Sequence, residues 1–199
     1  MKKILIVFLT AILLTSCSTI EQKLEKESYA LYETYWRLLL NETQFQTSSR
    51  NFNIEAEIIK SDNTYEYIVT VDKAKVAMYD VEIVVIENKK SIDAVDEMLP
   101  SAGIFEKKFN MIPNQARNEE SYMAGANLTR QDFSEDEVTL QVLVAWENYS
   151  RMESFREVFE FDLKYEEKKE SEEKKDKEND DKDKQDDNDD KDNQEEKDD

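Results

Sequence analysis

The sequence predicts a mainly β protein: an antiparallel two-sheet sandwich of immunoglobulin-like type, preceded by an N-terminal helix. Apolar and polar residues alternate with a period of two through much of the stretch from residue 45 to 165. About seven such runs follow one another there with no long helix between them, as expected for packed antiparallel sheets. The alternative is an α+β fold in which a helix packs on one antiparallel sheet.

The first predicted element is an amphipathic helix over residues 20–41. Its apolar residues recur at the helical spacing in two adjacent stripes, one with Leu24, Leu31, Tyr35 and Leu38, the other with Tyr32, Trp36 and Leu39. We expect this aromatic face to pack on the following domain. A membrane-surface belt or a groove for a partner helix is the alternative interpretation.

A β-hairpin is predicted next. Residues 54–58 and 65–71 both alternate, and Ser61-Asp62-Asn63 between them contains residues that tolerate tight turns. The following run, residues 76–87, contains the nearly continuous apolar segment Val81-Glu82-Ile83-Val84-Val85-Ile86. Its β-branched residues indicate a central strand with both faces partly covered.

The middle of the domain is predicted less sharply. Residues 89–99 have helical character and end at Pro100, which indicates a short crossover on the surface. Weaker strand patterns follow at residues 104–111, with Phe105 and Phe109 on one side, and at residues 120–128, with Tyr122, Ala124 and Ala126 on one side.

The last two predicted strands have the clearest alternation. One presents Val138, Leu140, Val142, Val144 and Trp146 on a single face, and the other, residues 158–165, presents Phe159, Phe161, Leu163 and Tyr165. The connection from Asn148 to Ser154 contains no glycine. It is therefore expected to be a longer polar loop and not a two-residue turn.

Residues 166–199 form an acidic tail. They include 19 Asp or Glu, nine Lys and no apolar or aromatic residue, so half of the chain's net charge of −20 lies there. A segment with nothing to bury cannot offset its loss of chain entropy by folding. The tail is therefore predicted to be disordered and to act as a solvated spacer.

Composition excludes most kinds of catalytic and metal chemistry. The chain has no histidine and one cysteine, which removes triads with a histidine base, disulfides, and His or Cys metal sites. Its glycines are isolated, so no phosphate-binding loop is present, and the net charge disfavours nucleic acid. We expect a protein that is not an enzyme and that needs no cofactor or metal.

The N-terminus has the parts of an export signal. Lys2 and Lys3 precede an apolar stretch from Ile4 to Leu14, which is too short to span a bilayer stably. Leu14-Thr15-Ser16-Cys17 closes the stretch and resembles the lipobox of bacterial lipoproteins. The resemblance covers only these residues, and it implies cleavage between Ser16 and Cys17 and attachment of diacylglycerol, with fatty acids such as palmitate, to Cys17.

The expected organisation follows from these segments: a signal peptide at residues 1–16, an anchor with the helix at 17–44, the β domain at 45–165 and the tail at 166–199. Two acyl chains hold a protein on a membrane stably. We therefore expect a lipoprotein anchored to the cell membrane through Cys17, on its extracytoplasmic face. Its β domain would bind or scaffold an envelope protein, or alternatively bind a carbohydrate or another small ligand.

Overall fold

The computed structural model describes residues 2–115 and 121–167, with side chains from residue 22 onward. The described part contains one α-helix and eight strands: α1 (Lys2–Asn41), β1 (Asn53–Ser61), β2 (Thr64–Asp72), β3 (Met78–Glu87), β4 (Ser101–Ala102), β5 (Phe109–Met111), β6 (Gly125–Phe133), β7 (Glu137–Glu147) and β8 (Ser154–Lys164). The acidic tail predicted to be disordered lies outside the described part, except for Glu166 and Glu167.

Two antiparallel sheets form the domain. One has the order β1-β2-β6, and the other has the order β4-β3-β7-β8, with β5 pairing to β3. The pairings of β1, β2 and β6 match those of strands A, B and E in an immunoglobulin domain, and β3, β7 and β8 match C, F and G. The predicted sandwich is thus confirmed, including the hairpin between β1 and β2.

The core lies between the two sheets and follows the period-two pattern. One sheet contributes Tyr67, Val69 and Val71 from β2, and the other contributes alternate residues of β3, β7 and β8. All five residues predicted for the inner face of β7 belong to this core: Val138, Leu140, Val142, Val144 and Trp146. Strand β3 is buried on both faces, as its continuous apolar run predicts.

Helix α1 covers the outer face of the β4-β3-β7-β8 sheet. Tyr32, Trp36 and Leu39 are buried there against the outward-facing residues Val84, Ile86, Leu143 and Ala145. Tyr32 lies beside Leu99, just before β4, whereas Gln46 after the helix pairs with Phe159 of β8. The helix therefore crosses the sheet from its β4 edge to its β8 edge.

Hydrogen bonds attach α1 to the connection between β3 and β4. The Trp36 Nε1 atom donates to the Lys90 carbonyl at 3.0 Å, and the Leu99 N–H donates to the Tyr32 hydroxyl at 3.1 Å. Burial raises the pKa of Tyr32 to about 12, because the phenolate would lose its hydration. The expectation that the aromatic face of the helix packs on the domain holds for Tyr32 and Trp36.

A second polar contact lies under the helix. The Tyr35 hydroxyl donates to Glu82 Oε2 at 2.5 Å, and Lys108 forms an ion pair with the same carboxylate. Burial, followed by the hydrogen bond to Glu82, raises the pKa of Tyr35. Glu82 is buried and faces the helix, so its carboxylate lies between α1 and the sheet.

Residues 22–27, the first residues of α1 whose side chains the structure describes, make no comparable contacts with the sheet. Residues 22–27 are exposed, and Leu24, predicted to belong to the packed stripe, is more than half exposed. Packing on the sheet begins only near Tyr32. Within the part of the chain that the structure describes, no helix combines the length and apolar character needed to cross a bilayer.

The predicted helical crossover at residues 89–99 is wrong. Only Ile92–Ala94 forms a single 3-10 turn, and the Ser91 side chain that precedes it accepts no capping hydrogen bond from the turn. The segment has β-branched Ile92 and Val95 and too few residues to sustain a helix. Its backbone instead serves as the hydrogen-bonding partner of Trp36 and Tyr32.

The two weaker strand predictions are only partly right. In place of one strand over residues 104–111 there is only the short β5 at Phe109–Met111, and the two-residue β4 ends just before Gly103, which has φ +72°. A Cβ atom at Gly103 would lie 2.1 Å from the Val81 carbonyl oxygen, so this close approach requires glycine. Phe105 and Phe109 do not share a side, because Phe105 contacts Tyr32 and Phe109 belongs to the core.

The strand predicted at residues 120–128 lies further along the chain. Strand β6 runs from Gly125 to Phe133, and Tyr122 instead pairs with Asn110. The polar residues from Thr129 to Asp132 resemble a turn in sequence. They form an extended edge strand because Arg130 points inward while its neighbours remain exposed.

Candidate interaction surface

Three connections meet at one end of the sandwich, and we call their described residues the loop pole: residues 73–77 between β2 and β3, residues 112–115 and 121–124 between β5 and β6, and residues 148–153 between β7 and β8. Of the middle connection, residues 116–120 are not described. The first and third correspond to the B–C and F–G loops of immunoglobulin domains, which form part of the binding surface of antibodies. The loop pole is therefore the natural place to look for a binding surface.

The loop at residues 148–153 is held by a local hydrogen-bond network centred on Asn148. Its side chain accepts from Ser150 Oγ at 2.8 Å and donates to Glu153 Oε2 at 2.8 Å, while its backbone N–H donates to the Glu153 carbonyl at 3.1 Å. Arg151 takes a left-handed conformation, φ +54°, where a glycine is usual. The prediction of a longer polar loop is confirmed, and the loop is well connected internally.

The same loop is also fastened to β3. Arg151 Nε lies 2.6 Å from Asp80 Oδ2, and its guanidinium stacks over the Tyr79 ring at 5.6 Å. Tyr149 contacts the Tyr79 ring edge-on, with ring centroids 5.8 Å apart. These contacts fix the position of the loop relative to the sheet.

Large apolar side chains project from this fastened loop into solvent. Tyr149 is 83% exposed and Met152 is 85% exposed, the highest values among the large apolar residues described. Phe155, at the start of β8, is partly exposed and stacks on the buried Trp146. The loop pole also carries partly exposed Val76 and Met123.

An open groove of about 630 Å³ also lies at the loop pole, with Met123 in its lining. Its walls come from the end of β2, the connection at residues 73–74, and the segments on either side of residues 116–120. Asp72, Lys73, Asn114 and Tyr122 supply its polar groups, and Met111, Pro113 and Met123 supply apolar surface. A mixed lining of this kind suits a protein surface better than an enclosed small-molecule site.

A buried charged cluster lies elsewhere, at the seam between the two sheets. Glu87 of β3 is fully buried; it accepts a hydrogen bond from the Tyr67 hydroxyl at 2.8 Å on one oxygen and pairs with Arg130 on the other. Arg130 also reaches Glu97 Oε1 at 2.8 Å. Both oxygens of Glu87 are therefore engaged, and the cluster joins β2, β3 and β6 as a structural contact.

The pKa values of the cluster reflect this arrangement. Burial, followed by the charge of Glu87, raises the pKa of Tyr67 and keeps its hydroxyl protonated as a donor. Burial alone would lower the pKa of Arg130, but the hydrogen bond and charge of Glu87 outweigh it and raise that pKa. The ionised Glu87–Arg130 pair and the neutral tyrosine stabilise one another.

The residues predicted for lipid attachment and cleavage, Cys17 and Ser16, lie within α1, in the stretch whose side chains are not described. Their roles remain predictions. Within the described ranges, no group of three acidic or cysteine side chains is placed to hold a metal ion. No known family matches the chain, and neither the curated proteins nor the solved structures contain a significant match to it.

The sequence predicts the loop at residues 148–154 but not the surface formed by the loop pole. Exposed Tyr149 and Met152 in an otherwise polar loop are the signal that could have located it. Glu87 and Arg130 were also missed. Both residues occupy inward-facing positions of their strands. Glu87 follows the inward-facing residues Val81, Ile83 and Val85 of β3. Arg130 follows the inward-facing residues Ala126 and Leu128 of β6.

Proposed function

We propose that this chain is a lipid-anchored, extracytoplasmic lipoprotein whose non-catalytic β-sandwich binds another envelope protein through the loop pole. The observation that carries the proposal is the fastened loop at residues 148–153, which presents Tyr149 and Met152 almost fully exposed. Binding costs less when a loop is already ordered. Exposed apolar groups on a rigid loop are therefore well suited to recognition.

The chemistry of the loop fits a protein partner. Tyrosine is enriched among the residues that dominate binding energy, and it supplies large contact area with few rotatable bonds. Methionine adapts its shape to an irregular partner surface. Arg151, held between Asp80 and Tyr79, adds a charged group to the rim without the freedom of an unrestrained side chain.

A carbohydrate or small-ligand function is supported less well. A sugar platform needs two or three exposed rings in one plane. At the loop pole the Tyr79 and Tyr149 rings are inclined by 70°, and the parallel pair of Trp146 and Phe155 exposes mainly Phe155. These orientations favour a protein partner as the occupant.

The anchor part of the proposal rests on the lipobox resemblance of Leu14-Thr15-Ser16-Cys17. The geometry of α1 agrees with it: the residues from Ser18 to Ser28 are helical and would extend about 16 Å before the helix packs on the sheet. A diacylglyceryl group on Cys17 would thus hold the sandwich a short distance from the membrane surface.

The anchor is tested by Cys17→Ser in the native cell. The unaltered protein is expected to incorporate a labelled palmitate analogue and to fractionate with the membrane. The variant should incorporate none and should accumulate as the longer, uncleaved chain. An unaltered protein that carries no label and is recovered from the cytosol with Met1 in place would contradict the proposed anchor.

The binding role is tested with a Tyr149→Ala/Met152→Ala variant of the anchored protein, compared by crosslinking and quantitative mass spectrometry. We expect recovery of the specific protein partner to fall at least about tenfold, because exposed side chains of this kind dominate interface energies. Ile59→Ala, which truncates a partly exposed residue on the outer face of β1, is the matched control. Equal recovery with both variants, or retention on purified wall polysaccharide alone, would contradict the proposal.

A further inference from the structure

A second groove lies between α1 and the connection from β3 to β4, away from the loop pole. It has a volume of about 200 Å³ and is lined by Tyr29, Tyr32 and Trp36 of the helix and by residues 92 and 95–98 of the connection. A cavity of about 150 Å³ holds a benzene ring. This groove, which we call the helix groove, therefore has room for one large apolar side chain.

Apolar surface is exposed around the helix groove. Tyr29 is about half exposed, Met98 slightly more, and Phe105 lies partly exposed beside Tyr32 at a ring distance of 5.5 Å. Tyr32 and Trp36 form a rigid floor, because both are buried and hydrogen-bonded to the connection. An ordered floor with exposed apolar walls can accept an inserted side chain without first reorganising.

The charged groups of the helix groove have one sign. Its lining includes Asp96 and Glu97, and the exposed Asp93 lies in the preceding 3-10 turn. Glu97 is paired with Arg130, whereas Asp96 and Asp93 have no ion pair within the described residues. None of the described lining residues is basic. The rim would therefore attract a cationic partner and repel a second copy of this acidic chain.

We propose that the helix groove binds a basic amphipathic segment of another protein, with one apolar side chain between Tyr29 and Met98 and Lys or Arg side chains against Asp93 and Asp96. This recognition combines an apolar anchor with opposite charges at the rim. The groove chemistry does not depend on the lipid anchor. Only the inference that such a partner lies near the membrane rests on the proposed function.

The test uses the mature chain, residues 17–199 with Cys17→Ser, so that no detergent is needed. The probe is a synthetic 16-residue amphipathic peptide with leucine on one helical face, lysine on the other and one photoreactive leucine. A counterpart has glutamate in place of every lysine. We expect the lysine peptide to bind and to crosslink to Tyr29 and residues 92–98, and the glutamate peptide to do neither.

Two variants separate the apolar and charged parts of the site: Met98→Ser and Asp96→Lys. Each is expected to weaken binding of the lysine peptide about tenfold. Their matched controls are Ile59→Ser and Glu57→Lys on the outer face of β1, which should leave the affinity unchanged. All these variants retain the acidic tail, so attraction of the peptide to that tail is the same throughout.

The outcome distinguishes the helix groove from general charge attraction. Crosslinks confined to residues 168–199, or an affinity that Met98→Ser and Asp96→Lys do not change, would overturn the proposal. This assay uses an unlipidated chain and leaves the loop pole intact. Its outcome is therefore independent of the tests of the lipid anchor and of the Tyr149→Ala/Met152→Ala variant.

Discussion

Arg130→Met is expected to lower the free energy of unfolding by about 3 kcal/mol, since it leaves the buried Glu87 carboxylate without its cation. Glu87 would retain the Tyr67 hydroxyl as a donor at 2.8 Å, which cannot neutralise it. The expected value lies at the low end of the usual range of about 3–5 kcal/mol because Arg130 itself remains 26% exposed. Urea unfolding of the mature chain, followed by tryptophan fluorescence, measures the change.

A second substitution identifies the cause of this loss. In the Glu87→Gln/Arg130→Met double variant the charge is gone, and the glutamine can still accept from Tyr67. We therefore expect it to regain most of the lost stability. Glu87→Gln alone should cost less than Arg130→Met, because Arg130 keeps Glu97 at 2.8 Å and is partly hydrated.

Lys164→Met provides the matched control, because it also removes the cation of a cross-strand ion pair. Lys164 Nζ lies 3.1 Å from Glu137 Oε2, but both side chains are about two-thirds exposed. Its urea midpoint should be indistinguishable from that of the unaltered protein. If Arg130→Met shifted the midpoint no more than Lys164→Met, the buried pair would not be a major contributor to stability.

Trp36→Ala is the second substitution with a large expected effect, about 3–5 kcal/mol of lost stability. The indole is completely buried between α1 and the β4-β3-β7-β8 sheet, and its Nε1 donates to the Lys90 carbonyl at 3.0 Å. Its removal leaves both a cavity and an unpaired carbonyl. The unfolding free energy in urea and the hydrogen exchange of β3 and β7 would report the loss.

Two further substitutions in the same helix should reduce stability by smaller amounts than Trp36→Ala. Trp36→Phe keeps most of the apolar volume but removes the donor, so it should cost about 1–2 kcal/mol. Leu24→Ala truncates a side chain that is more than half exposed, and it should change stability by about 0.5 kcal/mol or less. A loss in Leu24→Ala equal to that in Trp36→Ala would mean that packing on the sheet is not what holds α1.

The strands that could be predicted best are those in which one periodic signal decides the structure. β7 places every second residue from Val138 to Trp146 in the core between the sheets, and β3 is apolar on both faces, so local pattern and tertiary packing agree. The same period would also have placed Glu87 and Arg130 inside. They were overlooked because acidic and basic residues are usually exposed, and only the pairing across the two sheets makes their burial tolerable.

The connections could not be predicted in the same way, because their conformations depend on distant partners. The segment at residues 89–99 is held by Trp36 and Tyr32, more than 50 positions away in the sequence. The chain also has only two glycines, so Asp62, Asn88 and Arg151 adopt positive φ at positions where glycine would have marked a turn. The loop pole is built from such connections, which explains why its surface was not anticipated.

The attachment of α1 has a mechanical consequence. Traction on the N-terminal end of the helix would pass first to Tyr32 and Trp36 and from them to the backbone at Leu99 and Lys90. Glu97, in the same connection, is tied by Arg130 to the opposite sheet. A force applied at the N-terminal end of the helix would thus be shared between both sheets, through the packing of the helix on β3 and β7 and through the Glu97–Arg130 pair.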